Sequence, residues 1–163
     1  MERGAAGQER NRVLRLLSLD LIFSDERCAE ALSDENLLAA MARFEGALAA
    51  ASAAAGVIPA AAARVVEETA GQAAFDAKTL AREARNAGTL AIPFVKELTA
   101  QVAARSAEAA RFVHYGATSQ DVLDSAVALC LKSSSQRICA LARQLGDAAA
   151  ALPRRHAAAP TVA

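Results

Sequence analysis

The chain of 163 residues balances 18 Lys+Arg against 18 Asp+Glu for a formal net charge of +0, so it lacks the broad basic field that nucleic acid or an anionic membrane requires. Hydrophobic residues reach 54% but many are alanines, and aromatics are only 4%, a mixture suited to closely packed helices and not to a sheet. Three cysteines, an odd number with no C-x-x-C pair, give neither a disulfide framework nor a zinc site and read as idle thiols of a reducing compartment.

Residues 1–12 are polar and read as a disordered tail. The apolar stretch 14–23 is interrupted by Arg15, Ser18 and Asp20 and is too short for a signal core or a membrane span. The alanine run 47–63 contains Ser52, Gly56 and Pro59 and reads as a helix with its stop, so the expected location is the cytoplasm. Ser24, followed by Asp25 and Glu26, predicts an N-cap and a short helix to about Leu32. Ser33-Asp34-Glu35 repeats that signal. From there Leu37, Met41, Phe44, Leu48, Ala51 and Ala55 advance by fours and threes, which predicts one apolar seam, with Gly56 as a left-handed stop and Pro59 just beyond.

Ala60 to Ala70 predicts another helix, closed by Gly71. Asp76 caps a helix over 77–87 that Gly88 ends. Residues 89–92 are predicted to be extended, because the residue before Pro93 is pushed out of the α region, and Pro93 opens a helix to about Ala104. From Ser119 to Leu152 there is no proline and only one glycine, Gly146. Leu131, Ile138, Leu145 and Leu152 recur at sevens with Leu141 and Ala148 between, interrupted by Ser134, which predicts a long bundle helix. Cys130 and Cys139, nine apart, fall on opposite faces of it. Such a helix is left half-naked in a monomer of this size, so the fold class is all-α and a homo-oligomer is expected.

"RFVHYGATSQDVLDSA", residues 111–126, places unusual hydrogen-bonding capacity at the start of that helix. Thr118-x-x-Asp121 has the spacing of a capping box with an acidic third residue. The same helix end offers free amides to an anion, with hydroxyls from Thr118 and Ser119 and close backbone approach at Gly116. Asp121 opposes that use, since its own charge already complements the helix dipole. His114 reads either as a hydrogen-bonded structural histidine or as a ligand contact. His156 has no triad or metal partner in sequence and reads as a surface residue on the closing turn.

That segment resembles the first signature region of the fumarase/aspartase superfamily, whose members add or eliminate across a C–C bond beside a carboxylate. "IFSDERCAEALSDENLLAAMARFEGALAAA", "GVIPAAAA" and "GTLAIPFVKELTA" follow in the family's order, so the likeness covers about residues 19–163. Within the superfamily the chain is most similar to the lactone-forming cycloisomerases, with the adenylosuccinate lyases second. "EARNAGTLAIPF" lacks the histidine that the latter would show.

The resemblance implies an N-terminal helical domain over 13–117 and the start of a long-helix bundle domain over 118–163, assembled as a homotetramer whose sites draw on three subunits. It implies a small-molecule tricarboxylate substrate, no metal and no organic cofactor. On matching positions it assigns Thr118, Ser119 and Gln120 to a substrate carboxylate. It brings Thr89, where asparagine is usual, towards the substrate, and it gives His114 either a ligand contact or a supporting role behind the ligand contacts. Tyr115 stands where the cycloisomerases carry tryptophan. The second and third signature regions, including a mobile G-S-S-x-M-P loop with the catalytic serine, follow Ala163 in the family's order. The catalytic residues are therefore expected there, and these 163 residues alone are expected to be inactive. A reading of another class is a helical oligomerisation module without activity.

Overall fold

The computed structural model describes residues 24–160, so the expected tail and the stretch 14–23 lie outside the described residues. Among the described residues there is no strand, and the helices are α1 Glu26–Ala31, α2 Asp34–Ala54, α3 Ala60–Gln72, α4 Ala77–Ala87, α5 Ala91–Ala103 and α6 Ser119–His156, with a 3-10 turn at Ala109–Phe112. Local chemistry sets most of these ends. The Ser33 hydroxyl accepts the Asn36 amide at 3.2 Å, and Asp76 accepts the Lys78 amide at 3.1 Å and the Thr79 hydroxyl at 2.6 Å. Gly56 and Gly88 take φ of +72° and +75°, which a Cβ would disfavour, and so end α2 and α4.

Three expectations about element ends are corrected. The cap of α1 is Asp25, one residue after Ser24, because its carboxylate both accepts the Cys28 amide and pairs with Arg137 of α6. α3 runs past Gly71 to Gln72, since nothing forces a left-handed turn at Gly71. Residues 89–92 are not extended: Leu90 is already in the α region and α5 begins at Ala91. Pro93 is then the third residue of a helix, where its missing N–H would have had no intrahelical partner anyway. α6 runs through Pro153 to His156, so His156 lies on its closing turn as expected.

The apolar seam of α2 is rotated from the expected one. Its buried residues are Leu38, Ala40, Met41, Ala42, Glu45, Gly46 and Ala49, whereas Leu37, Phe44 and Leu48 are half-exposed and Ala51 and Ala55 exposed. Alanine and glycine take the inner positions because α2 lies against both α3 and α6, and small residues let the three axes approach. Met41, Val66, Phe94, Leu98, Val102, Val122 and Ala126 are fully enclosed, and Phe94 packs its ring 4.9 Å from that of Phe75. α2 is long and apolar enough to cross a membrane by length and composition. With Glu45 and Met41 enclosed at its centre, it is the core helix of this bundle.

α6 has two different faces. Val122, Ala126, Cys130 and Ser134, each four residues on, are buried against the rest of the chain. The leucine-rich seam at sevens points away: Leu131 is 50% exposed, Ile138 57%, Leu145 71% and Leu152 54%. Beyond Leu141 every residue of α6 is exposed. Cys130 is buried and Cys139 exposed, on opposite faces as the spacing predicts.

Candidate carboxylate-binding site at the start of the long helix

The start of α6 is fixed from both sides. On its own side, the Thr118 hydroxyl accepts the Asp121 amide at 3.3 Å, and the Asp121 carboxylate takes both the Thr118 amide and the Thr118 hydroxyl at 2.8 Å. The capping box is therefore present, and those two donors hold the Asp121 carboxyl below its usual range. On the other side, the preceding loop is gripped by the core. Glu45 of α2, 1% exposed, accepts the His114 amide at 3.0 Å with Oε2 and lies 2.6 Å from His114 Nδ1 with Oε1. Burial pushes the Glu45 carboxyl up, against the pull of the His114 ring and amide.

Between these anchors the backbone is unusual. His114 has φ +57°, the only non-glycine residue with positive φ among the described residues, and Gly116 has φ +76°. Two left-handed residues in three reverse the chain between the 3-10 turn and α6. Phe112 and Tyr115 pack their rings 5.9 Å apart across this bend.

The side chains named from sequence divide sharply once their partners are counted. His114, Thr118, Ser119 and Gln120 share one short segment; no hydrogen bond joins Thr89 to it among the described residues, and the Thr89 hydroxyl accepts the Ala91 amide at 3.3 Å. Thr118 is engaged by Asp121, Gln120 Nε2 donates to Asp124 Oδ1, and His114 is held by Glu45. Ser119 differs: its hydroxyl has no protein partner among the described residues. The amides of Ser119 and Gln120 likewise have no protein acceptor, as the first amides of a helix do not. An uncommitted hydroxyl beside two free amides is a set of donors suited to one carboxylate, although the ionised Asp121 already complements the dipole of this helix end.

Glu45 was missed by sequence reasoning, although a signal existed. It follows Met41 by four and precedes Ala49 by four, so it lies on the buried stripe that the seam through Phe44 and Leu48 obscured. None of the named residues lines a groove of about 700 Å³ between α2, α3 and α6, which is bordered by Phe44, Gly46, Ala70, Ser125, Leu129 and Lys132. Among the described residues no group of three His, Cys, Asp or Glu side chains is placed to hold a metal ion. His156 is exposed at the end of α6.

Comparison with known proteins gives a consistent result. A family model described as Lyase matches residues 23–162. The 3-carboxy-cis,cis-muconate cycloisomerase of Bradyrhizobium diazoefficiens is 48% identical over 135 residues, which is 83% of this chain and 30% of that protein. The nitrosuccinate lyase of Streptomyces davaonensis is 41% identical over 130 residues, covering 80% of this chain and 27% of that protein. In solved structures, the beta-carboxy-cis,cis-muconate cycloisomerase of Acinetobacter calcoaceticus superposes with a TM-score of 0.68 at 44% identity, over 71% of this chain and 27% of that one. The chain thus spans about 30% of the length of the curated relatives it matches.

Proposed function

We propose, from the premise that this chain belongs to the lyase family of the fumarase/aspartase superfamily, that it is the N-terminal part of a 3-carboxy-cis,cis-muconate cycloisomerase. The observation that carries the site is the uncommitted Ser119 hydroxyl beside the free amides of Ser119 and Gln120. In this reading they receive a carboxylate of a small tricarboxylate, with Thr118 shaping the helix end and His114 and Thr89 approaching from the flanking loops. A second carboxylate oxygen of the same substrate adds to the conjugated double bond and closes a lactone. The electron pair displaced from that bond is delocalised into the neighbouring carboxylate, and a proton delivered to carbon restores the charge balance. A donor set at a helix N-terminus stabilises the anionic intermediate that this requires.

The residues supplying the proton belong to segments beyond these 163. The site of Thr118 to Gln120 is an open surface in this chain, which agrees with walls contributed by other segments and other subunits. Residues 13–117 then form the N-terminal domain and 118–163 the start of the bundle domain. The outward seam of Leu131, Ile138, Leu145 and Leu152 supports a homotetramer joined through α6, in the bacterial cytoplasm.

The test is turnover by the complete protein and by residues 1–163 alone, followed through loss of the conjugated-diene absorbance of 3-carboxy-cis,cis-muconate, with nitrosuccinate as the competing substrate. The proposal expects lactone from the complete protein and none from the 163 residues. Consumption of nitrosuccinate in place of the muconate overturns it. A helical module without activity is the second reading, favoured by the same exposed seam. It requires that the complete protein turn over neither compound.

A further inference from the structure

Glu45 stands apart from every other acid among the described residues. It is 1% exposed at the centre of α2, 69 residues from His114, the only residue among those described whose hydrogen bonds it takes. A carboxylate so enclosed is costly unless both oxygens are matched, and here both are matched by His114. His114 in turn holds a left-handed backbone that a residue with a Cβ adopts at a cost. The two unfavourable features coincide and offset each other.

The position of that clasp matters. His114 lies five residues before Ser119, and between them Gly116 supplies a second left-handed turn. The helix end is fixed downstream by the reciprocal Thr118–Asp121 bonds and upstream by Glu45. A shift of His114 therefore moves the start of α6 relative to α2. Neither the stability of the core nor the capping of α6 needs a charged group at position 45; Leu38, Met41 and Ala49 fill the same stripe with apolar atoms.

We propose that Glu45 is a positioning residue of the substrate site: through His114 it sets the pose in which Ser119 and the free amides of α6 meet the substrate carboxylate. This rests on the role given to Ser119 above. Glu45 itself touches no substrate, and its effect passes through the His114 amide and ring.

The experiment compares wild type, Glu45→Gln, Ser119→Ala and the double variant in the complete protein, measuring KM and kcat for 3-carboxy-cis,cis-muconate alongside Tm. Gln keeps the shape and one acceptor for the His114 amide but removes the charge that orients the ring. Glu45→Gln is expected to raise KM roughly tenfold, the size of a weakened charge-assisted hydrogen bond, with kcat changed by less than about twofold. In the Ser119→Ala background that KM effect is expected to vanish, because the hydroxyl that Glu45 positions is gone. A lower Tm with unchanged KM overturns the proposal, as does a KM effect that multiplies in full with that of Ser119→Ala; either makes the pair a staple. Should Ser119→Ala leave KM unchanged, the carboxylate role of Ser119 fails and the positioning role falls with it. That case is distinct from a failure of Glu45 alone. If Glu45→Gln does not fold, Glu45→Asp, which keeps the charge but draws it back from the His114 ring, carries the same expectations.

Discussion

Replacing His114 by alanine and by glycine separates the two forces that meet at that residue. Either change removes the ring from Glu45 and leaves a buried carboxylate with only the backbone amide at 3.0 Å. That loss is about 3 kcal/mol, between the ~1–3 of an unmade buried hydrogen bond and the ~3–5 of a broken buried pair. The left-handed φ of +57° then distinguishes the two variants. Alanine keeps a penalty of roughly 1–2 kcal/mol for that conformation, which glycine lacks. Glycine also gains about 0.4–1 kcal/mol of freedom in the unfolded chain, which counts against it. The balance makes His114→Gly more stable than His114→Ala by about 0.5–1 kcal/mol, although glycine is otherwise the weaker residue. Urea unfolding with equal m-values resolves a difference of this size. If the alanine variant is as stable as the glycine variant or more so, residue 114 is not left-handed in solution and the description of the loop is wrong.

Three further outcomes follow from other parts of the chain. Arg137, by a bidentate hydrogen bond, holds the Asp25 carboxyl at about 2 against an ordinary 3.8. The stability it lends is present above 3.8 and is lost as pH falls through about 2, so wild type and Asp25→Asn should converge over that window in acid-titrated unfolding. Gly71 has no left-handed φ and open space around a built Cβ, so Gly71→Ala should stabilise by about 0.5–1 kcal/mol in thermal unfolding, whereas Gly88→Ala, at φ +75°, should destabilise. Leu145→Gln, at a position 71% exposed in this chain, should change the stability of residues 1–163 by less than about 0.5 kcal/mol, yet weaken assembly of the complete protein in light scattering.

Most helix boundaries were legible in the sequence where a local cap or a left-handed glycine sets the end. Ser33, Asp76, Gly56, Gly88 and Thr118 each act locally, and each sits where the sequence placed it. What was not legible depends on distant partners. Asp25 displaces Ser24 as a cap because Arg137, 112 residues away, rewards that choice. The face that α2 buries is decided by the close approach of α3 and α6, which favours alanine over the larger Phe44 and Leu48. The heptad seam of α6 is a stripe as the spacing predicts, but it is exposed in this chain. For the candidate site, the segment 114–120 was apparent from its motif. The division of labour within it was not, since the commitments of Thr118, Gln120 and His114 depend on hydrogen bonds, one of them to the unexpected Glu45.

The measurement that bears most directly on the central claim is kcat/KM together with Tm for Ser119→Ala and Thr118→Ala in the complete protein. If the start of α6 receives a substrate carboxylate through Ser119, that variant loses about 1.5–3 kcal/mol of transition-state binding, roughly 10- to 150-fold in kcat/KM, with Tm unchanged. Thr118→Ala, which breaks the cap, loses about 1 kcal/mol of stability. Unchanged kcat/KM in Ser119→Ala would mean that residues 118–121 serve only to begin a helix, and would contradict the account.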